Sequence, residues 1–157
     1  MADLRALMED LGHTDVATVL VSGNVVLTAA GGNAGTLAKG IEAAIQERLG
    51  MDVRVLVRSV TEVQAVVDDN PLADVAKKEP NRLQVTFVDG AVDPKALAPV
   101  LDADWSPEAL AIGKGVVYAW QPNGMTGSPL GEALTRIPGP TSTTRNLATL
   151  QKILAKA

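Results

Sequence analysis

Residues 16–30 of this 157-residue chain read VATVLVSGNVVLTAA, in which two apolar runs flank Ser22-Gly23-Asn24. Gly and Asn tolerate the positive φ that tight turns require, so the stretch predicts a β-hairpin. Apolar residues at helical spacing predict a helix on each side of it, over residues 2–11 and 36–49, each followed by a glycine. The alternating DVRVLVR of residues 52–58 predicts a third strand. The first part of the chain is therefore expected to follow the order αββαβ.

A short helix is predicted to link this part to the next. Ser59-Val60-Thr61-Glu62 has the capping-box pattern of a helix start, and the helix is expected to end before Asn70-Pro71. Residues 72–81, with two lysines and Pro80, are the best candidate for a boundary. Beyond them we expect a strand over 82–88, a helix over 94–101, a hairpin of 108–112 and 116–120, a helix over 128–136, an extended piece at 140–143 and a last helix.

The order of helices and strands in the two parts predicts an α+β fold of two ferredoxin-like (split βαβ) halves with mostly antiparallel sheets, residues 1–76 and 77–157. The plan is βαββαβ, and the first half lacks its opening strand. That strand would lie between the third and fourth strands of the sheet, so its absence is expected to leave a vacant slot bounded by unpaired backbone groups. The slot predicts a homodimer, a strand-donating partner, or a first half that is less protected from hydrogen exchange than the second.

The composition narrows the class of protein. Apolar residues make up 46% and charged residues 20%, with one Phe, one Tyr and two Trp, so an aliphatic core is expected. The scarcity of rings and the net charge of -4 make nucleic-acid binding an unfavoured alternative. The absence of Cys excludes disulfides and thiolate chemistry. Because no stretch approaches the roughly 20 apolar residues of a membrane-spanning helix, a cytoplasmic protein without membrane contact is expected.

Positive charge is concentrated at the C-terminal end, where residues 133–157 carry a net +4 against -8 over residues 1–132. There Thr143, Thr144, Arg145 and Asn146 directly precede an amphipathic run and are predicted to open the last helix. The unpaired amides and the dipole of a helix N-terminus favour phosphate or carboxylate, and the hydroxyls and guanidinium add donors. The cluster therefore predicts a pocket for a small anionic ligand. In the structural alternative, a threonine caps the helix and Arg145 pairs with a carboxylate elsewhere.

Other candidates for chemistry are weaker. Ser22 and Asn24 are predicted to contact a ligand if the hairpin turn faces a cleft, although a turn needs such residues in any case. The single histidine, His13, is expected to be a solvated loop residue. With no second imidazole and no evident nucleophile–base pair, we predict no metal site, no cofactor and no catalytic residue.

The run DLRALMEDLGHTDVATVLVSGNVVLTA resembles the M-x-x-L-R-x-x-x-E-x-L-G-F-x-x-V-x-T-Y-x-x-S-G-N-V-V-F stretch of a bacterial family, domain of unknown function 1697. LVRSVTEV before Asn70-Pro71, GVVYAWQPNGMTGSPL and TTRN are similar to further family segments in the same order. The resemblance covers essentially the whole chain. It also implies departures: the family's N-terminal strand ending R-G-I-N-V-G-G has no counterpart, so Met1 resembles an internal methionine of a longer form. Leu147-Ala148 and Ser128-Pro129 stand where the family tends to have Trp-Asn and Ser-Lys. The resemblance implies no activity.

Three classes of function remain open. A binding or accessory module that recognises a small anion at residues 143–146 is favoured. The alternatives are an enzyme acting on a phosphorylated or carboxylated metabolite, and a protein-interaction or nucleic-acid-binding domain. A protein-interaction role would use the vacant strand slot.

Overall fold

A computed structural model describes residues 1–157, which form a mixed α/β fold with antiparallel sheets. The chain divides into two compact units, residues 1–63 with 151–157, and residues 64–150. The predicted halves, 1–76 and 77–157, divide the chain at a different point and stay a prediction about its topology. Every helix is too short or too polar to cross a lipid bilayer.

The first unit contains the predicted hairpin between its two longer helices. Its elements are α1 (Ala2–Asp10), β1 (Thr14–Val19), β2 (Asn24–Thr28) and α2 (Ala34–Leu49). Strands β1 and β2 pair antiparallel, with Val19 opposite Asn24. Asn33 caps the N-terminus of α2 with its Oδ1, which accepts from the Thr36 N–H at 3.0 Å, and Gly50 in the left-handed conformation caps the C-terminus. The hairpin and both helices are therefore confirmed.

The core of this unit is a small aliphatic cluster between the helices and the hairpin. Its buried members come from α1, β1 and α2, and its partly buried members include two side chains of β2; they are Leu7, Met8, Val16, Ile41, Ala44 and Ile45, with Leu4, Val25, Leu27, Val53 and Val55 packed against them. The 3.6-residue periodicity of the helices and the alternation of the strands place these side chains on one side of each element.

The prediction of a strand over residues 52–58 is wrong, because this segment does not pair with another strand. The segment has no regular secondary structure, and residues 52–57 make no hydrogen bond to another backbone group. Val53 and Val55 nevertheless pack on the core while Arg54 between them is exposed, which is the alternation of an extended chain. The physical reason for the error is that a strand needs a neighbour. Here the Val55 N–H donates instead to the Glu42 carboxylate, at 2.8 Å.

Helix α3 (Val60–Asp68) leads into the second unit and confirms the predicted capping box. The Ser59 N–H donates to Glu62 Oε2 at 2.7 Å, and the Glu62 N–H donates to Ser59 Oγ at 3.2 Å. The elements that follow are α4 (Ala73–Ala76), a 3₁₀ turn (Pro80–Arg82), β3 (Leu83–Val88), α5 (Pro94–Leu101), β4 (Ala109–Gly113), β5 (Val116–Trp120), α6 (Pro129–Thr135), β6 (Ser142–Asn146) and α7 (Leu147–Leu154).

The second unit has a complete four-stranded antiparallel sheet in the order β4-β5-β3-β6. Strand β3 is central and pairs with both β5 and β6, so five of its six residues are buried. Helices α5 and α6 contribute to a second apolar cluster, in which Leu97, Val100 and Val117 are buried. The predicted strand over 82–88, the second hairpin and the helix capped by Asp93 are all confirmed.

Candidate functional site

The four residues predicted to bind an anion lie in strand β6, and α7 begins only at Leu147. The prediction that they open the last helix is therefore wrong. Thr143 and Thr144 stand opposite Phe87 and Thr86 of the central strand, and β-branched threonines suit such a paired position better than a helix start. The extended piece predicted at residues 140–143 overlaps this strand, which runs into the helix without an intervening loop.

Each of these four side chains has a partner within the protein. Thr144 Oγ1 lies 2.8 Å from Thr86 Oγ1, and Arg145 Nη1 donates to Thr143 Oγ1 at 2.8 Å and to the Thr144 carbonyl at 2.7 Å. Asn146 Oδ1 accepts from the Thr149 N–H at 2.8 Å, so Asn146 rather than a threonine caps α7. Burial lowers the pKa of the Arg145 guanidinium from its ordinary value. Anion binding here stays a prediction.

Ser22 and Asn24 belong to the first unit and stabilise the hairpin turn. Asn24 is 8% exposed, and its Nδ2 donates to the Val19 carbonyl at 3.1 Å and to Ser22 Oγ at 2.9 Å. Gly23 between them adopts a φ of 76°, which other residues disfavour. These contacts explain both side chains on structural grounds, and their contact with a ligand stays a prediction.

His13 was expected to be solvated, and the structure corrects this: the residue is 8% exposed. Gly12, at a φ of 86°, turns the chain after α1, and the His13 N–H donates back to the Met8 carbonyl at 3.2 Å. The turn brings the imidazole beside β2, where His13 Nδ1 accepts from the Ala30 N–H at 3.2 Å. The side chain lines a cavity of about 360 Å³ at the start of α2. A single histidine in a polar loop carries no sequence signal for such burial.

A buried polar cluster in the second unit was also missed from the sequence. Ser128 Oγ accepts from the Gly131 N–H at 2.8 Å and from Gln121 Nε2 at 2.9 Å, while Glu108 Oε2 accepts from the Leu130 N–H at 2.9 Å. All three side chains are less than a tenth exposed. Ser128 followed by Pro129 is a recognisable helix start, but nothing local to Glu108 or Gln121 indicates where that helix lies. The cluster fixes the N-terminus of α6.

The fold and these sites define an α+β protein with two antiparallel sheets. Residues 1–118 match the family described as a protein of unknown function, DUF1697, and the chain belongs to that family. The resemblance to this family is thereby confirmed over residues 1–118.

A solved structure of a conserved bacterial protein, SP0830 from Streptococcus pneumoniae, is similar to this chain. The TM-score is 0.75 at 21% sequence identity, and the match covers 99% of this chain and 87% of that one. At this identity the likeness shows the fold. No curated protein matches the chain.

Proposed function

We propose that the protein is a polypeptide-binding module whose first unit accepts one additional β-strand. The observation that carries the proposal is the segment of residues 52–57, which packs apolar side chains on the core yet pairs its backbone with no other strand. Strand β2 pairs only with β1, so its other edge also has no strand beside it. Unpaired strand edges that border a hydrophobic core are the surfaces to which extended peptides add.

The order of elements supports a specific position for that strand. The second unit runs β3-α5-β4-β5-α6-β6, and the first runs α1-β1-β2-α2 followed by residues 52–58. We assign both units a ferredoxin-like plan, in which residues 1–63 contain no counterpart of β3. Because β3 pairs with β5 and β6, its counterpart would pair with β2 on one side and with residues 52–58 on the other.

This position also defines the occupant. It is one strand from outside residues 1–157, about as long as the six residues of β3, antiparallel to both neighbours and apolar at alternate positions. The side chains facing inward would contact Val25, Leu27, Val53 and Val55, which the core leaves partly buried. The partly exposed surface of these four side chains is the apolar area that a bound strand would cover.

Hydrogen exchange followed by mass spectrometry tests this proposal. The protein alone is expected to exchange the amides of residues 53–57 at least about tenfold faster than those of β3, because only β3 is paired on both sides. A peptide carrying the β3 sequence Leu83–Val88 between solubilising lysines is expected to slow exchange both in residues 53–57 and in β2. The matched control is the same peptide with proline at the Val85 position, which cannot donate from that residue.

Strand addition would be contradicted if residues 53–57 of the dilute protein were as protected from hydrogen exchange as β3. It would also be contradicted if the peptide and its proline control slowed exchange equally. Protection that rises with protein concentration in the absence of peptide would identify a second copy of the chain as the strand donor.

A second candidate function is recognition of a small anion at residues 143–146. The observation that favours it is the partial burial of the Arg145 guanidinium, which lowers the pKa of this group. A bound oxyanion would offset the hydration that the buried charge has lost. The Thr143 hydroxyl lies beside it, accepts from Arg145 Nη1 at 2.8 Å, and still has its own hydrogen to donate.

Thermal unfolding with inorganic phosphate tests the second candidate. Saturating phosphate is expected to raise the Tm by roughly 2–4 °C, as binding to the folded state alone requires. Arg145→Ala is expected to abolish the shift. Arg136→Ala is the matched control, because Arg136 lies in the same basic region with its side chain 78% exposed and near Glu132. An equal shift in both variants, or none in the unmodified protein, would remove this candidate.

A further inference from the structure

We infer that the free edge of strand β4 binds a second copy of the chain, as an antiparallel pair of β4 strands related by a two-fold axis at Ala111. Two four-stranded sheets would then join into one continuous sheet. This edge belongs to residues 64–150, whereas the strand position proposed above belongs to residues 1–63.

The hydrogen-bond pattern of the sheet leaves the backbone of Leu110 and Ile112 unpaired. Gly115 and Gln121, on either side of β5, hydrogen-bond through their backbones to β3 and to the residue before it. The odd-numbered residues of β5 therefore bond to β3, and its even-numbered residues bond to the odd-numbered residues of β4. The N–H and C=O groups of Leu110 and Ile112 consequently face away from the sheet, and β4 has no strand on that side.

Two such edges are complementary when they run antiparallel. Centring the pair on Ala111 places Leu110 of each copy opposite Ile112 of the other. Opposite residues of an antiparallel ladder are alternately hydrogen-bonded and not hydrogen-bonded. The two Leu110–Ile112 pairs would each exchange two backbone hydrogen bonds, and the Ala111 pair between them requires none. This one register satisfies all the outward backbone groups of β4, and a two-fold axis makes it the same for both copies.

The charges at the two ends of β4 favour the same register. Glu108 precedes the strand and Lys114 follows it, while the five residues between them are uncharged. Glu108 is 9% exposed, and its Oε2 accepts from the Leu130 N–H, but neither Glu108 nor Lys114 forms an ion pair within the chain. Antiparallel pairing brings Lys114 of one copy beside Glu108 of the other at both ends. A second copy thus supplies the cation with which buried carboxylates are normally paired.

The side chains of the edge also fit a second copy. Leu110 and Ile112 lie on the face of the sheet that carries α5 and α6, where they are only partly buried. Because the register places them opposite each other, Leu110 of one copy would contact Ile112 of the other, and cross-strand pairs of this kind stabilise a sheet.

The other edge of the same sheet is protected. The Asp89 N–H donates to the Thr141 carbonyl, so the Thr144 carbonyl faces outward from β6. Arg145 Nη1 donates to that carbonyl at 2.7 Å and thereby covers part of the edge. Strand β4 has neither a charged residue nor a proline, which are the usual protections of an edge. Association is therefore expected at β4 rather than at β6.

Analytical ultracentrifugation tests the inference. A pair of five-residue strands buries less area than a standard interface of about 1,600 Å², so the association is expected to be weak. Between about 10 μM and about 1 mM protein, the 16.3 kDa monomer is expected to pass into a dimer. Lys114→Glu places two carboxylates together at each end of the pair and is expected to weaken the dimer by at least about tenfold. Lys78→Glu is the matched control, because it changes the net charge equally at an exposed lysine outside β4.

Amide hydrogen exchange followed residue by residue by NMR locates the contact. The amides of Leu110 and Ile112 are expected to become more protected as the protein concentration rises. The amide of Ala111, which is bonded to β5, is expected to be protected at every concentration.

Three results would each overturn the inference: a monomer at every concentration, equal dissociation constants for the two lysine variants, or no change in protection at Leu110 and Ile112 in a dimer. A dimer that protects residues 53–57 instead would place the second copy at the strand position of the first unit, so the two proposals are separable.

Discussion

Replacement of Ser128 by alanine is expected to lower the free energy of unfolding by about 3 kcal/mol. The Ser128 hydroxyl is 3% exposed and accepts from both the Gly131 N–H and Gln121 Nε2. Alanine would remove the cap of α6, which is worth about 1 kcal/mol, and would leave the Gln121 amide without a partner, at a further cost of about 2 kcal/mol. Gln121 Oε1 is already buried without a hydrogen-bond partner, so no second hydrogen bond of this side chain would compensate for the loss.

Urea denaturation measures this effect as a lower midpoint at an unchanged slope. Thr126→Ala is the matched control, because it removes an exposed hydroxyl from the same segment and is expected to change stability by less than about 0.5 kcal/mol. Adding Gln121→Leu to Ser128→Ala is expected to restore part of the loss, since both polar partners are then removed. A loss below about 1 kcal/mol in Ser128→Ala would contradict the buried hydrogen-bond explanation.

The parts of the fold that the sequence predicted are those whose causes lie within a few residues. The hairpin depends on Gly23 at its turn, α2 on its Gly50 stop, and α3 on the pair Ser59 and Glu62. At the two helix ends the group that satisfies the backbone is at most four positions away, and at the hairpin turn Asn24 donates to the Val19 carbonyl five positions away. Local chemistry of this kind is visible in a single sequence.

The two errors of secondary structure arise where the deciding partner is distant in the chain. Residues 52–58 have the alternation of a strand, but pairing requires a neighbouring strand that the first unit does not supply. Residues 143–146 are predicted to open a helix, whereas they form a strand that pairs with β3, almost sixty positions earlier. Thr86 and Thr144, whose hydroxyls lie 2.8 Å apart, illustrate a contact that periodicity cannot reveal.

The candidate sites were less predictable than the fold for the same reason. The residue types at 143–146 indicate a polar cluster, but Thr144 finds its hydrogen-bond partner on β3 and Asn146 finds its partner in α7. His13 acquires its cavity only because the Gly12 turn returns the chain to Ala30. Tertiary contacts, and not residue types alone, decide which polar groups are left to meet a ligand.

Tyr118 is the single tyrosine of the chain and lies in the middle of β5, 1% exposed. Its hydroxyl donates to the Val66 carbonyl of α3 at 2.7 Å. Burial, with a smaller contribution from the negative charge of Asp69, raises the pKa of the Tyr118 phenol from 10.0 to about 12. The neutral phenol is therefore part of the folded state, and its ionisation is coupled to unfolding.

The stability of the protein is accordingly expected to fall as the pH rises from 10 to about 12. Below pH 10 the phenol is neutral in both states and its contribution to stability is complete. Above that pH the unfolded chain ionises first, at a cost to folding that approaches about 2 kcal/mol.

Tyr118→Phe loses the hydrogen bond to the Val66 carbonyl, so at neutral pH it should be less stable by about 1 kcal/mol. Since phenylalanine does not titrate, the order of the two stabilities should reverse near pH 11. Urea unfolding of both proteins across this range measures the crossing, and the phenolate absorbance of the one tyrosine reports its ionisation directly. Parallel curves of stability against pH for the two proteins would contradict this prediction. They would show that Tyr118 titrates alike in the folded and unfolded states, and that its hydroxyl is not in a hydrogen bond shielded from water.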